Sequence, residues 1–155
     1  MATLKQYEFF KGLYDEQTER THELREQGKT YISLSTLYSA FVTFVVERVR
    51  PETILDKSLF VLTVASMVAA FFASLWAIKV SNFEAITFPQ DVVEEMGDSA
   101  VKDAAFFDKR IGDYAVACER NSKVNDLKAR QVQVAGVLLL LGILLHALYV
   151  IAVVS

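Results

Sequence analysis

Six cations and two asparagines fall within 22 residues: Lys109, Arg110, Arg120, Lys123, Lys128 and Arg130, with Asn121 and Asn125 between them. The chemistry open to such a set is anion binding, because guanidinium and ammonium groups donate charge-assisted hydrogen bonds to phosphate. On a helix, Arg120, Lys123 and the turn at 127–130 share one broad face. In a symmetric oligomer such faces would ring a common axis and add their positive potentials, a setting that suits the phosphates of a nucleotide or oligonucleotide. The plainer alternative is a basic flank of a membrane helix resting on anionic headgroups. The candidate ligand-binding residues are Lys109, Arg110, Arg120, Asn121, Lys123, Lys128 and Arg130.

A second pattern is a stripe of small and polar residues. Ser33, Thr36, Ala40, Thr43 and Glu47 recur at three- and four-residue steps inside an otherwise apolar run, with Ser35 and Ser39 beside them. Such a stripe serves close helix–helix packing, with hydroxyls bonded to backbone carbonyls. It equally suits the wall of a water-filled lumen, where Glu47 would ring the mouth. His146 stands within the last apolar run, where an ionisable side chain is either a pore or gate element or a neutral imidazole bonded to a carbonyl or to Tyr149. Gly142, one turn before it, marks a candidate contact that shifts on gating. Pore and gate candidates are therefore Ser33, Thr36, Ala40, Thr43, Glu47 and His146.

Enzyme signatures are missing. The two histidines are His22 and His146, and the single cysteine is Cys118, so neither a zinc site nor an internal disulfide is expected. There is no glycine-rich phosphate loop and no Gly-x-Ser-x-Gly. No enzyme activity, metal or cofactor is expected. Net charge is −3, which gives no global basic signature.

These residues need elements to hold them, and the elements are membrane helices. Hydrophobic residues make up 53% of the chain while 23% is charged, and mean hydropathy is +0.30. The charge is segregated between three apolar runs. Val132 to Val154 is 23 residues without a charge. As a helix it reaches about 34 Å, enough for a hydrocarbon core of about 30 Å. Residues 59–80 form another run, in which Ala65, Ala69, Ala73 and Ala77 recur every four residues and predict a small-residue packing face. Trp76 and Lys79 near its end fit an interfacial anchor. Residues 31–46 are a shorter run, extended by snorkelling of Lys29, Arg48 and Arg50.

The resulting division is an N-terminal cytoplasmic helix over 1–30, a first span over 31–50, an outside hairpin over 51–58 and a second span over 59–80. A cytoplasmic helical insert over 81–131 and a third span over 132–154 complete it. In the first segment Tyr7, Phe10, Tyr14, Thr18 and Thr21 follow helical spacing, and Glu16–Arg20 is a possible i,i+4 pair. Pro51 ends the first span, and Asp91 or Asp98 could cap short helices around Phe88-Pro89. From Val101 the pattern reads as one helix running into the last span. Lysine and arginine number five before residue 31, three over residues 47–58 and seven in the insert, which places the N-terminus and the insert in the cytoplasm. The expected fold is an all-α, multi-pass membrane protein with three transmembrane helices, a cytoplasmic helical core and an oligomeric state. Three spans cannot enclose a pore alone.

Two stretches carry a resemblance. Tyr14-Asp15-Glu16-Gln17-Thr18-Glu19-Arg20, followed by Gln27-Gly28-Lys29-Thr30-Tyr31, resembles the entry to the first span of small bacterial anti-phage membrane effectors. Glu119-Arg120-Asn121-Ser122-Lys123-Val124-Asn125-Asp126-Leu127-Lys128-Ala129 is similar to their re-entry segment. The resemblance is to Hailong-type and Pycsar-type effectors. It implies a bacterial inner-membrane location and a homo-oligomer, for which a tetramer is expected. It also implies an oligodeoxynucleotide or cyclic-nucleotide signal made by a neighbouring nucleotidyltransferase or cyclase. The expected function is then a channel effector that depolarises the inner membrane during phage infection. The alternative is a non-conducting membrane anchor or scaffold that recruits a cytoplasmic partner.

Overall fold

The computed structural model describes residues 3–79 and 103–154. Among these residues the chain forms three α-helices and no strand: α1 (Leu4–Arg48), α2 (Ile54–Ile78) and α3 (Asp103–Val154). The expected all-α class is what the described chain adopts. Residues 81–100, with Phe88-Pro89, Asp91 and Asp98, lie outside the described residues, as does Val101.

α1 has 45 residues and α3 has 52, so each is roughly 70–80 Å long at 1.5 Å per residue. The boundary drawn at residue 30 thus falls inside a continuous helix. Gly12 and Gly112 do not interrupt their helices. α1 stops at Arg48, just short of Arg50, whose helical conformation is disfavoured by the ring of Pro51. α2 starts on a reciprocal capping box. The Asp56 amide donates to the Thr53 hydroxyl (3.1 Å), and the Thr53 amide donates to the Asp56 carboxylate (3.0 Å). Two amides that the first helical turn leaves open are satisfied in this way.

α2 and α3 are each long and apolar enough to cross a membrane; α1 does not meet that measure. Its uncharged stretch, Thr30 to Val46, is only 17 residues, about 26 Å.

The chain divides into two compact units, and α1 and α3 contribute to both. One comprises residues 1–23 and 80–126. In it α1 and α3 run parallel: Tyr7 meets Phe107 and Tyr114, Tyr14 meets Tyr114, and Thr21 meets Asn125. The other comprises residues 24–79 and 127–155. There α1 and α3 are again parallel, with Tyr31 on Gly136 and Tyr38 on His146. α2 lies antiparallel to both. Gly28 packs on Ser74, Ala77 and Ile78, Met67 packs on Gly142, and Phe60 packs on Tyr149.

The second unit is apolar outside, and inside it buries polar side chains among apolar ones such as Leu24, Met67, Ala70, Val132 and Leu139. Ser35, Thr63, Ser66, Ser74 and His146 are buried. Leu37, Phe41, Phe44, Phe72, Trp76, Val137 and Ile151 are exposed, with Leu37 71% accessible. Water would penalise that surface and lipid would not.

Candidate functional site

In each unit α1 and α3 meet along a seam that buries polar side chains. On α3 the buried positions from Asn121 onward are 121, 125, 128, 132, 135, 139, 142, 146 and 149. On α1 the inward positions are 14, 17, 21, 24, 28, 31, 35, 38 and 42. Both sets step by alternating threes and fours, the spacing of a left-handed coiled-coil seam.

In the first unit, Asn125 is wholly buried and sits in a small network. Its amide nitrogen donates to the Gln17 carbonyl (2.9 Å) and to Gln17 Oε1 (3.1 Å). Its carbonyl oxygen accepts from the Thr21 hydroxyl at 2.7 Å. Thr21 also reaches the Gln17 carbonyl at 2.9 Å. Arg20 pairs with Asp126 across the seam at 3.0 Å, rather than with Glu16 in its own helix. Below this network Tyr7, Tyr14 and Tyr114 pack edge to edge, and burial, with Tyr7 alongside, pushes the Tyr114 hydroxyl well above its ordinary value. Burial also pushes the Cys118 thiol up, which keeps it protonated and a poor nucleophile.

The proposed basic face is split by this packing. Arg110 and Asn121 are buried in the first unit, Arg110 pairing with Asp113 (3.3 Å) and lying over the Phe106 ring. Lys109, Arg120 and Lys123 are exposed, and Lys123 pairs with Glu119 at 2.7 Å, which draws the carboxyl of Glu119 below its usual range. In the second unit Lys128 is buried and Arg130 is exposed. A helix that buries positions 121, 125 and 128 cannot present Asn121 and Lys128 on the same outward face as Lys123.

The second unit also places the pore and gate candidates. Ser33, Thr36, Ala40, Thr43 and Glu47 are all exposed, and Thr36 borders a groove shared with Met67 and Phe71 of α2. Thr36 and Thr43 donate to the carbonyls of Ile32 (2.9 Å) and Ser39 (3.0 Å). His146 lies apart from them, inside the bundle and 2% exposed. Its Nδ1 is 2.9 Å from the Tyr38 hydroxyl, and its ring stacks on Tyr149. Tyr149 in turn donates to the Val49 carbonyl at 2.5 Å. Gly142 meets Met67 and Ser66 of α2, not His146.

The packing face of α2 also differs from the alanine line. Ala65 and Ala69 are exposed and Ala73 is half-buried, while Ser66, Ala70, Ser74 and Ala77 are buried. Ser74 is satisfied within its own helix, donating to the Ala70 carbonyl at 2.8 Å. The alanine line therefore crosses from the outside at Ala65 and Ala69 to the inside at Ala77.

Four seam residues were not singled out for a site by residue type: Gln17, Arg25, Tyr38 and Val49. The three- and four-residue ladder running through 14, 17, 21, 24, 28 and 31 was the signal available. No family model, no curated protein and no solved structure matches this chain.

Proposed function

We propose that the protein is a homo-oligomeric membrane channel whose lumen is lined by the α1 stripe Ser33, Thr36, Ala40, Thr43 and Glu47. The observation that carries this reading is the stripe's exposure. A row of hydroxyls, an alanine and a carboxylate stands outward on a helix whose remaining outward residues include Leu34, Leu37, Phe41 and Phe44. Large apolar side chains suit lipid, but a polar row beside them does not. In a ring of copies the row would turn inward and the apolar side chains outward. The same apolar coat supports reading 31–50 as a third span beside α2 and the end of α3.

A channel needs a trigger, and the exposed cations Lys109, Arg120, Lys123 and Arg130 are its candidate receptors. The resemblance drawn from Tyr14–Tyr31 and Glu119–Ala129 favours a nucleotide or oligonucleotide signal from a neighbouring nucleotidyltransferase or cyclase. On the same ground the setting is a bacterial inner membrane, with a cytoplasmic N-terminus, and the outcome is depolarisation during phage infection. A second reading, a non-conducting scaffold, is favoured by one observation. Thr36 and Thr43 already bond to their own helix, as hydroxyls do in dry helix–helix contacts.

The two readings separate by ion flux. The full-length protein reconstituted in dye-loaded vesicles is expected to dissipate an imposed potential, and Thr43→Leu with Glu47→Gln to abolish the flux without loss of incorporation. Absence of flux from the unmodified protein, with normal growth and membrane potential in cells producing it without its genomic neighbours, would reject the channel.

A further inference from the structure

Within the second unit, two cations face the same seam with no anion between them. Lys128 on α3 is 5% exposed, and its ammonium has no hydrogen-bond partner among the described residues. Arg25 on α1 is near enough for its charge to act on Lys128, and its Nε is likewise buried and without a partner. Among the described residues neither makes an ion pair; Glu26, the nearest acid in sequence, holds Lys29 at 2.6 Å. Both burial and the Arg25 charge push the Lys128 amine below its ordinary value, burial being the larger cause. Removing an ammonium from water without a counter-charge is costly, and a guanidinium next to it adds repulsion. An arrangement of this kind is stable when an anion completes it.

We propose that Arg25 and Lys128 form a phosphate-binding site, filled by a phosphate ester from a lipid headgroup or from a free phosphate compound. The Arg fork supplies planar paired donors and the Lys supplies a point charge, the combination that phosphate recognition uses. Position supports the choice of phosphate. Lys128 stands four residues before Val132, where the uncharged run begins, and Lys29 and Arg130 flank the same level. That is the depth at which membrane helices meet headgroup phosphates. The site is separate from the α1 stripe and from the exposed cations assigned to the trigger. It therefore stands or falls independently of the channel.

The test uses the full-length protein in a neutral detergent. Its thermal unfolding is followed with added inorganic phosphate, with phosphatidylglycerol, and with a phosphate-free glycolipid as the control. Stabilisation by phosphatidylglycerol but not by phosphate or the glycolipid supports the site with lipid as its source. Stabilisation by inorganic phosphate as well supports it with a free phosphate source. Arg25→Gln and Lys128→Met are each expected to weaken the binding about tenfold or more, as loss of a charge-assisted hydrogen bond does. Without any anion present, Lys128→Met is expected to unfold at a temperature no lower than the unmodified protein, which separates loss of binding from loss of fold. No stabilisation by either phosphate source overturns the proposal. So does a stabilisation that both variants retain in full.

Discussion

Replacing Asn125 with alanine should destabilise the protein by an amount that its contacts set. Asn125 donates twice to Gln17 and accepts once from Thr21, at 2.9, 3.1 and 2.7 Å. A hydrogen bond contributes about 1 kcal/mol net, so the three amount to about 3 kcal/mol. Two effects move that figure in opposite directions. Thr21 has one hydroxyl proton, and without Asn125 it can give it wholly to the Gln17 carbonyl, which lowers the loss. The alanine leaves a small cavity in the seam, which raises it. We expect Asn125→Ala to cost about 2–3 kcal/mol, a fall of roughly 5–10 °C in a chain of this size. Asn125→Leu fills the space and strands only the Gln17 side chain, which is half-exposed and can turn to water, so it should cost about 1 kcal/mol. Combining it with Thr21→Val should cost no more, because both partners are then apolar. The assay is thermal unfolding of the full-length protein in detergent. It is followed by near-ultraviolet circular dichroism, which reads the packed Tyr7, Tyr14 and Tyr114 in the same unit. A shift under about 1 °C for Asn125→Ala, or an equal loss for the leucine and alanine variants, would refute the assignment of stability to these bonds.

Two further tests use the same measurement. Gly28 lies 3.4 Å from the Ser74 carbonyl through the position a Cβ would take, so Gly28→Leu should force α1 and α2 apart and destabilise strongly. A Cβ at Gly12 or Gly112 meets open space, and alanine at either should stabilise its helix by up to about 1 kcal/mol. Lys128 gives a pH dependence whose sign can be checked. Its amine titrates lower in the folded protein than in the unfolded chain, so between the lowered value and the ordinary one the unfolded state binds more protons. Stability should therefore rise as pH climbs through the lowered folded value toward the ordinary lysine value, then gain nothing more from this group above it. The difference between the unmodified protein and Lys128→Met isolates the effect, and a difference that does not change with pH would contradict it.

The sequence shows the helical class and the apolar runs because both rest on local signals: few breakers and long uncharged stretches. The seam was hidden for two opposite physical reasons. Before residue 131 its inward positions on α3 are Asn121, Asn125 and Lys128, residue types that hydropathy assigns to the surface. After residue 131 almost every side chain is apolar, so Ala135, Leu139 and Tyr149 do not stand out from Val137 or Ile151. Periodicity needs contrast, and neither half of α3 offers it. The basic cluster misled for the same reason. A count of charges within 22 residues cannot say that positions 110, 121 and 128 turn inward while 109, 120, 123 and 130 turn outward. The alanine line of α2 was a true regularity, but a strict four-residue step drifts around a 3.6-residue helix, so Ala77 is buried while Ala65 and Ala69 are exposed.

Different forces must hold the two units. In the first, packed aromatic rings such as Tyr7, Phe107 and Tyr114 leave water, and that gain can carry the fact that Asn125 and Gln17 merely exchange water for each other. In the second, if lipid surrounds it, apolar contact between helices gains nothing over contact with acyl chains. Close approach and hydrogen bonds must do the holding. The residues found there are the ones that provide them: Gly28 against Ser74, Gly142 against Met67, and Tyr38 bonded to His146. A phosphate on Arg25 and Lys128 would belong to the same logic, since it would convert the costliest buried group in that unit into a tie between α1 and α3. The outward stripe from Ser33 to Glu47 fits that logic only in part: Thr36 and Thr43 are satisfied within α1, while the carboxylate of Glu47 stands exposed at its end.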